Sequence, residues 1–193
     1  MLVLVIGLLI FLGVHSVRIF ADDWRTRSVA RLGEKPWKGL YSVVSLIGFV
    51  LIVWGYALAR QQPVLLWQPP LMMKHLNSLF TLLAFILVVA AYVPHNHIKA
   101  RLHHPMVLGV KLWAFGHLLA TAKLADVLLF GAFLLWAVLS YRAARQRDRT
   151  LGTAYAPGAL GGTLIAVVIG VMAWAAFAFW LHAAWIGIAP LGR

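Results

Sequence analysis

The chain contains no cysteine among its 193 residues, and it has few charged side chains. Without cysteine it cannot form a thiolate nucleophile, an iron–sulfur cluster, a disulfide framework or a cysteine-ligated haem, so any metal chemistry must use nitrogen or oxygen ligands. Charged residues make up 11% of the sequence and hydrophobic residues 63%. So few polar side chains cannot cover the surface of a soluble globule. The composition therefore predicts an integral membrane protein.

Six apolar runs account for most of the chain. They cover residues 2–20, 40–59, 76–93, 106–122, 124–141 and 160–188. At about 20 residues for each crossing, they predict an all-α bundle of six transmembrane helices in one domain over residues 1–193. The first run has no positive residue before it and no small-residue cleavage site after it, so we expect a retained span. The fourth and fifth runs meet at residues 121–123, which predicts a tight helical hairpin turn between them.

Basic residues are unevenly divided between the connectors. The chain has 17 Lys and Arg but only 5 Asp and Glu. If all six runs cross a membrane, one side carries Arg18, Arg25, Arg27, Arg31, Lys35, Lys38, Lys99, Arg101, Arg142, Arg145, Arg147 and Arg149. The other side carries Arg60, Lys74, Lys123 and Arg193. By the positive-inside rule the first side is cytoplasmic and both termini are periplasmic. The cluster at residues 142–149 lacks an aromatic platform for bases, so we expect it to contact lipid and not nucleic acid.

Two histidines, His15 and His117, lie inside apolar runs. Ionisable side chains at membrane depth are uncommon, and they tend to mark ligand, proton or cofactor sites. A bound metal or haem iron would stabilise an imidazole there. The alternative is a neutral histidine that is hydrogen-bonded to a neighbouring helix. These two positions are the first candidates for a functional site.

A b-type haem would account for more than the two histidines. Its apolar ring fits between helices, its iron takes axial imidazoles from opposite faces, and its propionates need cations near an interface. Arg18 shares a helix face with His15, and Lys111 precedes His117 on a helix that we expect to begin at Pro105. Lys111 could instead extend its charged end to the inner surface. The depths expected for His15 and His117 agree only loosely.

Three segments resemble the NnrU family of bacterial inner-membrane proteins. They are GLLIFLGVHS at residues 7–16, HPMVLGVKLWAFGHLL at residues 104–119 and LLFG at residues 128–131. The resemblance runs nearly end to end and implies a multi-pass protein of the bacterial inner membrane. The family is associated with denitrification, in gene clusters for nitrite and nitric oxide reductases.

The family is also similar to 15-cis-zeta-carotene isomerase, a membrane haem b enzyme of plants and cyanobacteria. That similarity implies that His15 and His117 are the axial ligands of haem b. The isomerase has a cysteine three residues before the second ligand, but this chain has Ala114, so a ligand switch through a thiolate is excluded. The usual arginine before His-Pro is replaced by His103, with Arg101 two residues upstream.

A methyltransferase is one alternative. His104 and Pro105, followed by Gly109, resemble a segment of isoprenylcysteine-type membrane methyltransferases, which bind S-adenosylmethionine. The paired acidic residues that follow in those enzymes are missing, because Asp148 is the only acid after Asp126. This weakens the resemblance.

A second metal site is the other alternative. His95, His97, His103 and His104 lie in one connector and could hold zinc or copper. Their spacing is not that of the histidine boxes of membrane di-iron enzymes, and no carboxylate occurs between Glu34 and Asp126. We therefore favour an interfacial histidine cluster without metal.

Three roles are compatible with one haem in such a bundle. With isomerase-like chemistry, the iron would act as a Lewis acid on a double bond of a lipid-soluble polyene. With a role in denitrification, it would bind nitric oxide or pass electrons to a redox partner. A quinone could also approach an edge of the ring that faces the bilayer. The third role is structural or in assembly, without catalysis.

Overall fold

The computed structural model describes residues 1–191, and their regular secondary structure is helical. Arg193 lies outside this range. The charge count places that residue on the less basic side of the membrane. The helices are α1 (Leu2–Phe20), α2 (Asp22–Leu32), α3 (Glu34–Ala59), α4 (Leu71–Tyr92), α5 (His97–Leu102), α6 (Pro105–Ala120), α7 (Leu124–Leu151), α8 (Leu160–Ala176) and α9 (His182–Ile186), and a π-helical turn at Phe177–Leu181 joins the last two. The prediction of an all-helical membrane protein is confirmed.

Five stretches of the described chain are long and apolar enough to cross a membrane. They are α1, α3, α4, α7 and the continuous stretch Leu160–Ile186. The remaining apolar helix, α6, has 16 residues and is shorter than the usual span. Of the six predicted crossings, α6 is therefore the one that length alone does not support.

Several helices extend beyond the apolar runs that predicted them. α7 continues past residue 141 through the basic segment to Leu151, α3 already begins at Glu34, and α4 begins at Leu71. Lysine, arginine, glutamate and glutamine are good helix formers, so a helix can continue where hydrophobicity stops. Hydrophobicity alone therefore placed these ends inside the true helices.

The first connector contains a helix of its own, α2. Asp22 and Asp23 lie in its first turn, where negative charge is favourable, and Gly33 ends it at φ 86°, which suits glycine. None of its residues is buried. The Trp24 ring contacts the Trp37 ring of α3 at 5.6 Å. This connector is thus an ordered surface helix.

The chain divides into two compact units. Unit 1 comprises Met1–Trp67 and Ala122–Ser140, and unit 2 comprises Gln68–Thr121 and Tyr141–Arg193. α7 therefore contributes its first part to unit 1 and its last part to unit 2. The single domain expected over residues 1–193 stays a prediction.

In unit 1, α1 and α3 run antiparallel with their backbones in close contact at glycines. A Cβ on Gly48 would lie 2.7 Å from the Phe11 nitrogen, and one on Gly55 would overlap the backbone of Leu4. Gly7 meets the Ile52 nitrogen in the same way, at 2.6 Å. Small residues permit this approach in membrane proteins. The contact fixes α1, and with it His15, against α3.

In unit 2, α4 packs against both α6 and α8. A Cβ on Gly109 would lie 2.9 Å from the Ala84 carbonyl oxygen, and one on Gly170 would lie 2.6 Å from the Ile86 Cα. Trp174 Nε1 of α8 donates to Thr81 Oγ1 of α4 at 3.2 Å. α4 is thus the common neighbour of the other two helices.

Two pairs of connectors are joined by backbone hydrogen bonds. In unit 1, the Leu66 N–H donates to the Ala122 oxygen at 2.7 Å, and the Leu124 N–H donates to the Val64 oxygen at 2.9 Å. In unit 2, the Ala159 N–H donates to the His95 oxygen at 2.8 Å. The connection at residues 121–123, predicted as a tight turn, is therefore extended and paired with residues 64–66.

Candidate functional site

The residues that the sequence singles out are divided between the two units. His15 and Arg18 lie on α1 in unit 1. Arg101, His104, Lys111 and His117 lie in unit 2, on or beside α5 and α6. The surroundings of each residue are therefore those of its own unit.

His15 is held by its own helix and surrounded by aromatic rings. Its Nδ1 lies 2.6 Å from the Phe11 carbonyl oxygen, one helical turn earlier. The ring stacks on Phe11 at 4.2 Å and meets Tyr41 at 5.2 Å and Trp136 at 6.2 Å. A carbonyl oxygen can only accept, so Nδ1 carries the proton in the neutral ring. Nε2 then keeps the lone pair that a metal ion needs.

A pocket of about 330 Å³ lies beside His15. It is lined by Phe11, His15, Tyr41, Ser42, Ser45, Leu46 and Phe49. The Ser45 hydroxyl interacts with that of Tyr41, whereas Trp136 Nε1, whose ring contacts His15, is buried and finds no hydrogen-bond partner among the described residues. Unpaired buried donors are costly and need an explanation.

Arg18 lies near the end of α1 and is largely exposed. Its Nε is 4.0 Å from Asp22 Oδ1, at the first residue of α2, and Arg25 approaches the same oxygen at 4.0 Å. Such long, exposed ion pairs contribute little energy. Arg18 thus lies at the junction of α1 and α2.

His117 has the same local hydrogen bond as His15. Its Nδ1 lies 2.8 Å from the Trp113 carbonyl oxygen, and the two rings are 5.4 Å apart. The preceding residue, Gly116, is buried, and a Cβ there would lie 2.6 Å from Asn77 Oδ1 of α4. That amide oxygen is buried and has no donor among residues 1–191. Close packing against α4 thus positions the helical turn that carries His117.

Lys111 and Arg101 differ in exposure. Lys111 is half-buried on α6, and among residues 1–191 no acidic side chain forms an ion pair with it. Arg101 is exposed in the last turn of α5. Lys111 is thus the cation of unit 2 that stands on the same helix as a proposed ligand.

His104 belongs to a polar cluster in unit 2. Its Nε2 lies 2.8 Å from Asp148 Oδ2 on α7, the same oxygen that accepts from Arg145 Nη1 at 3.1 Å and from the Tyr155 hydroxyl at 3.0 Å. The Tyr155 oxygen is also 3.2 Å from His104 Nε2. Burial and the hydrogen bond to Asp148 raise the pKa of Tyr155 to about 12. The cluster ties the start of α6 to the end of α7 and the segment after it.

His103 joins this cluster through a strained turn. Its φ is 67° and its ψ is −52°, and the His104 N–H donates to the Leu102 oxygen at 2.7 Å, which together make a γ-turn of the rare, strained kind. The ring contacts Tyr155 at 4.1 Å, and its buried Nδ1 has no partner among the described residues. Burial lowers the pKa of His103, and the positive charge of Arg145 lowers it further.

The four connector histidines do not form a recognisable metal centre. Within residues 1–191, no group of three or more histidine and acidic side chains is arranged to hold a metal ion. His95 has a φ of 48°, the backbone of His97 donates to Thr163 Oγ1 at 3.0 Å, and His104 is committed to Asp148. These residues shape the connector and its contact with α8.

Sequence analysis did not single out Ser45, Trp136 or Tyr155, and it noted Asp148 only as an isolated acid. A lone carboxylate within a run of arginines was a usable signal for the Asp148 cluster. Serine and tryptophan are common in membrane helices, so nothing in the sequence singles out Ser45 or marks Trp136 Nε1 as unpaired.

The two proposed axial ligands fit the requirements of a haem. Both imidazoles hold Nδ1 on a backbone carbonyl, the contact that orients metal-binding histidines in proteins. Arg18 and Lys111 lie on the same helices as the two imidazoles, and Trp136 Nε1, buried near His15, has no acceptor within residues 1–191. Each unit, taken by itself, thus supplies one nitrogen ligand and one cation of the kinds that an iron porphyrin with carboxylates requires.

Comparison with known proteins gives one match. The model of the family described as NnrU protein matches residues 3–190, nearly the whole chain. No curated protein and no solved structure matches the chain.

Proposed function

The chain belongs to the NnrU family, and from this premise we propose that it binds one haem b in the bacterial inner membrane through His15 and His117. The hydrogen bond that both imidazoles share carries the proposal: each Nδ1 is held by the carbonyl four residues earlier. Nε2 is then the ligand atom on both residues. Arg18 and Lys111 are assigned to the two propionates.

The proposed role is in denitrification and nitric oxide metabolism. When bound, the haem supplies an iron that can take nitric oxide or exchange one electron with a redox partner. The aromatic side chains around His15 exclude water from the imidazole and fix its orientation. Phe11 contributes to this in two ways. Its backbone carbonyl accepts a hydrogen bond from His15 Nδ1, and its ring covers one face of the His15 imidazole.

Isomerase-like chemistry on a polyene is the second candidate, and the pocket beside His15 favours it. Leu46 and Phe49, which line this pocket, are 61% and 52% exposed. Such apolar surface on a membrane helix faces lipid, so a lipid-soluble molecule can enter without crossing water. Neither of these two candidate functions requires S-adenosylmethionine, the cofactor of the methyltransferase alternative.

The topology proposed is six crossings with both termini in the periplasm. Connectors that are hydrogen-bonded to each other lie on one side of a membrane, so an even number of crossings separates them. Residues 64–66 pair with 122–124, and α4 and α6 lie between these segments. Because α4 is long enough to cross, this pairing supports a second crossing by α6 despite its length. The hydrogen bond between His95 and Ala159 supports the same conclusion. α6 and α7 lie between these two residues, and α7 is long enough to cross.

Haem content tests the function. The purified protein should show a six-coordinate, low-spin b-type spectrum with nitrogen ligands. His15→Ala and His117→Ala should each lower the haem content by about tenfold or more, because even residues that only orient a metal ligand are worth about 10–100-fold in affinity. His75→Ala and His182→Ala are matched controls, because they remove histidines that the proposal does not use. Full haem content in both ligand variants would overturn the assignment.

Single cysteines test the topology, since the native chain has none. Thr153→Cys, in the exposed segment after α7, should react only with a reagent that enters the cytoplasm. Gln61→Cys, in the exposed segment after α3, should react with an impermeant reagent from the periplasm. A reporter fused after Arg193 should be periplasmic. The reverse pattern would contradict the orientation.

A further inference from the structure

Helix α2 joins two membrane spans and therefore lies at a membrane surface. Only Ala21 separates it from α1, and only Gly33 separates it from α3. Both of these neighbouring helices are long and apolar enough to cross a bilayer. The contact between the rings of Trp24 and Trp37 holds α2 against the start of α3. The exposed side of α2 is thus within reach of lipid headgroups, whichever side of the membrane it is on.

The exposed side of α2 is basic and carries a tryptophan. Arg27 and Arg31 are one helical turn apart, and Trp24 lies three residues before Arg27, so the three side chains share one helix face. Both arginines are exposed, and so is Trp24, at 53%. Arginines beside a tryptophan are typical of helices that lie in the headgroup region of a membrane. We call these three residues the α2 face.

The acidic residues in and beside α2 do not pair with this face. Asp22 and Glu34 approach other basic residues. Asp23 lies four residues before Arg27 but makes no ion pair with it. Within residues 1–191, no acidic side chain forms an ion pair with Arg27 or Arg31. Two like charges one turn apart repel each other, so an anion that contacts both would stabilise this part of the helix.

We propose that the α2 face binds the phosphate of an anionic phospholipid. Arg27 and Arg31 donate charge-assisted hydrogen bonds to the phosphate oxygens, and the Trp24 ring packs against the lipid at the level of the headgroups. The position of α2 favours a lipid over a soluble anion, because a membrane span at each end keeps the helix beside the bilayer. The inference does not require haem, so the haem assays do not decide it.

The test measures lipid preference at α2 itself, with the full-length protein in nanodiscs. Ala30→Cys, at an exposed position of α2, supplies the single cysteine for a fluorescent label. Brominated phosphatidylglycerol and brominated phosphatidylcholine are compared as quenchers at equal mole fractions. Phosphatidylglycerol should be enriched at the label by at least about fivefold, the effect of one basic residue at an anionic surface. The enrichment should fall at high salt. No enrichment would overturn the proposal, and it is the result expected if a soluble acidic partner occupies the face.

Variants of the labelled protein test the two arginines. Arg31→Gln should lower the enrichment about fivefold. Arg27→Gln should lower it less, because the negative charge of Asp23, one turn earlier, already offsets part of the Arg27 charge. Arg31→Lys keeps the charge and should retain more of the enrichment than Arg31→Gln does. If both glutamine variants match the parent, the proposal is wrong.

Two controls separate a local site from the charge of the whole protein. Lys74→Gln removes one exposed positive charge from α4 and should leave the enrichment at the α2 label unchanged. A label on Gln61→Cys, in the exposed segment after α3, should report less enrichment than the label on α2. Equal losses in Lys74→Gln and Arg31→Gln, or equal enrichment at the two labels, would overturn the proposal. The net charge of the protein, and not the α2 face, would then attract the lipid.

Discussion

His15 and His117 make the same backbone hydrogen bond, but the helices that carry them are packed differently. α1 meets α3 backbone against backbone at Gly48 and Gly55. α6 meets α4 near His117 through Gly116, whose neighbours there are the side chains of Asn77 and Phe80. The orientation of each imidazole is thus set within one helical turn. The two helices differ in whether their close neighbours are backbone atoms or side-chain atoms. A side chain can adjust to a new methyl group, but a backbone cannot.

The largest expected effect is at Gly55. Gly55→Ala places a Cβ against the Leu4 backbone, so α1 must separate from α3, at a cost of about 3 kcal/mol in the free energy of unfolding. Chemical denaturation in detergent micelles measures the change. Gly13→Ala is the control, because nothing lies within 4 Å of its Cβ. Equal stability of the two variants would show that the close approach in unit 1 is not real.

A polar contact within unit 1 ranks second. The Tyr56 hydroxyl donates to Asp126 Oδ1 at 2.5 Å, and Asp126 is only 8% exposed. Tyr56→Phe removes a hydrogen bond to a buried carboxyl group and should lower the free energy of unfolding by about 1.5–3 kcal/mol. Tyr92→Phe, which alters a 72% exposed tyrosine, should have no measurable effect. A loss no larger than that of the control would mean that the contact adds nothing to unit 1.

A smaller effect is expected at Gly116. Gly116→Ala should cost about 1.5 kcal/mol, because Asn77 Oδ1, at 2.6 Å from the new Cβ, can swing away, whereas Phe80 Cβ, at 2.9 Å, requires a small shift of α4. The haem content of this variant should fall as well, because the helical turn that carries His117 would shift. The same denaturation and haem assays apply. If Gly116→Ala proves more costly than Gly55→Ala, the contrast between the two packing modes is wrong.

The smallest effect is spectroscopic and concerns unit 2. Tyr155 should ionise with a pKa of about 12, against about 10 for an ordinary tyrosine, as seen in the phenolate absorbance of the parent minus that of Tyr155→Phe. The raised pKa means that the folded protein keeps a proton that the unfolded chain loses. The stability from this contact is therefore complete below about pH 10 and declines between about pH 10 and 12. Asp148→Asn should move the midpoint back toward 10.

The sequence predicts the membrane helices well and their polar ends poorly. The bounds of α1 agree with the first apolar run, because the run ends where the chain turns at Ala21. The end of α7 was missed, since arginine continues a helix as readily as leucine does. Helix α2 was missed because its residues carry no sustained apolar pattern and none is buried.

The same division between what the sequence predicts and what it misses applies to the candidate site. His15 and His117 stand out in the sequence because an imidazole is rare in an apolar run, and helical spacing brings each to a carbonyl four residues earlier. The Asp148 cluster depends on residues from three separate segments, so no local pattern predicts it. Whether Trp136 Nε1 has a partner depends on three-dimensional packing, which spacing in one helix cannot reveal.

The short length of α6 has a consequence for the surrounding lipid. Sixteen residues at 1.5 Å each span about 24 Å, whereas the hydrocarbon core of a bilayer is about 30 Å thick. In the proposed topology α6 crosses the membrane, and a span that is too short thins the bilayer next to it. Headgroups and water therefore come nearer to the middle of α6 than to the middle of α3. A small solute that enters beside α6 crosses less hydrocarbon on its way to His117 than it would elsewhere in the membrane.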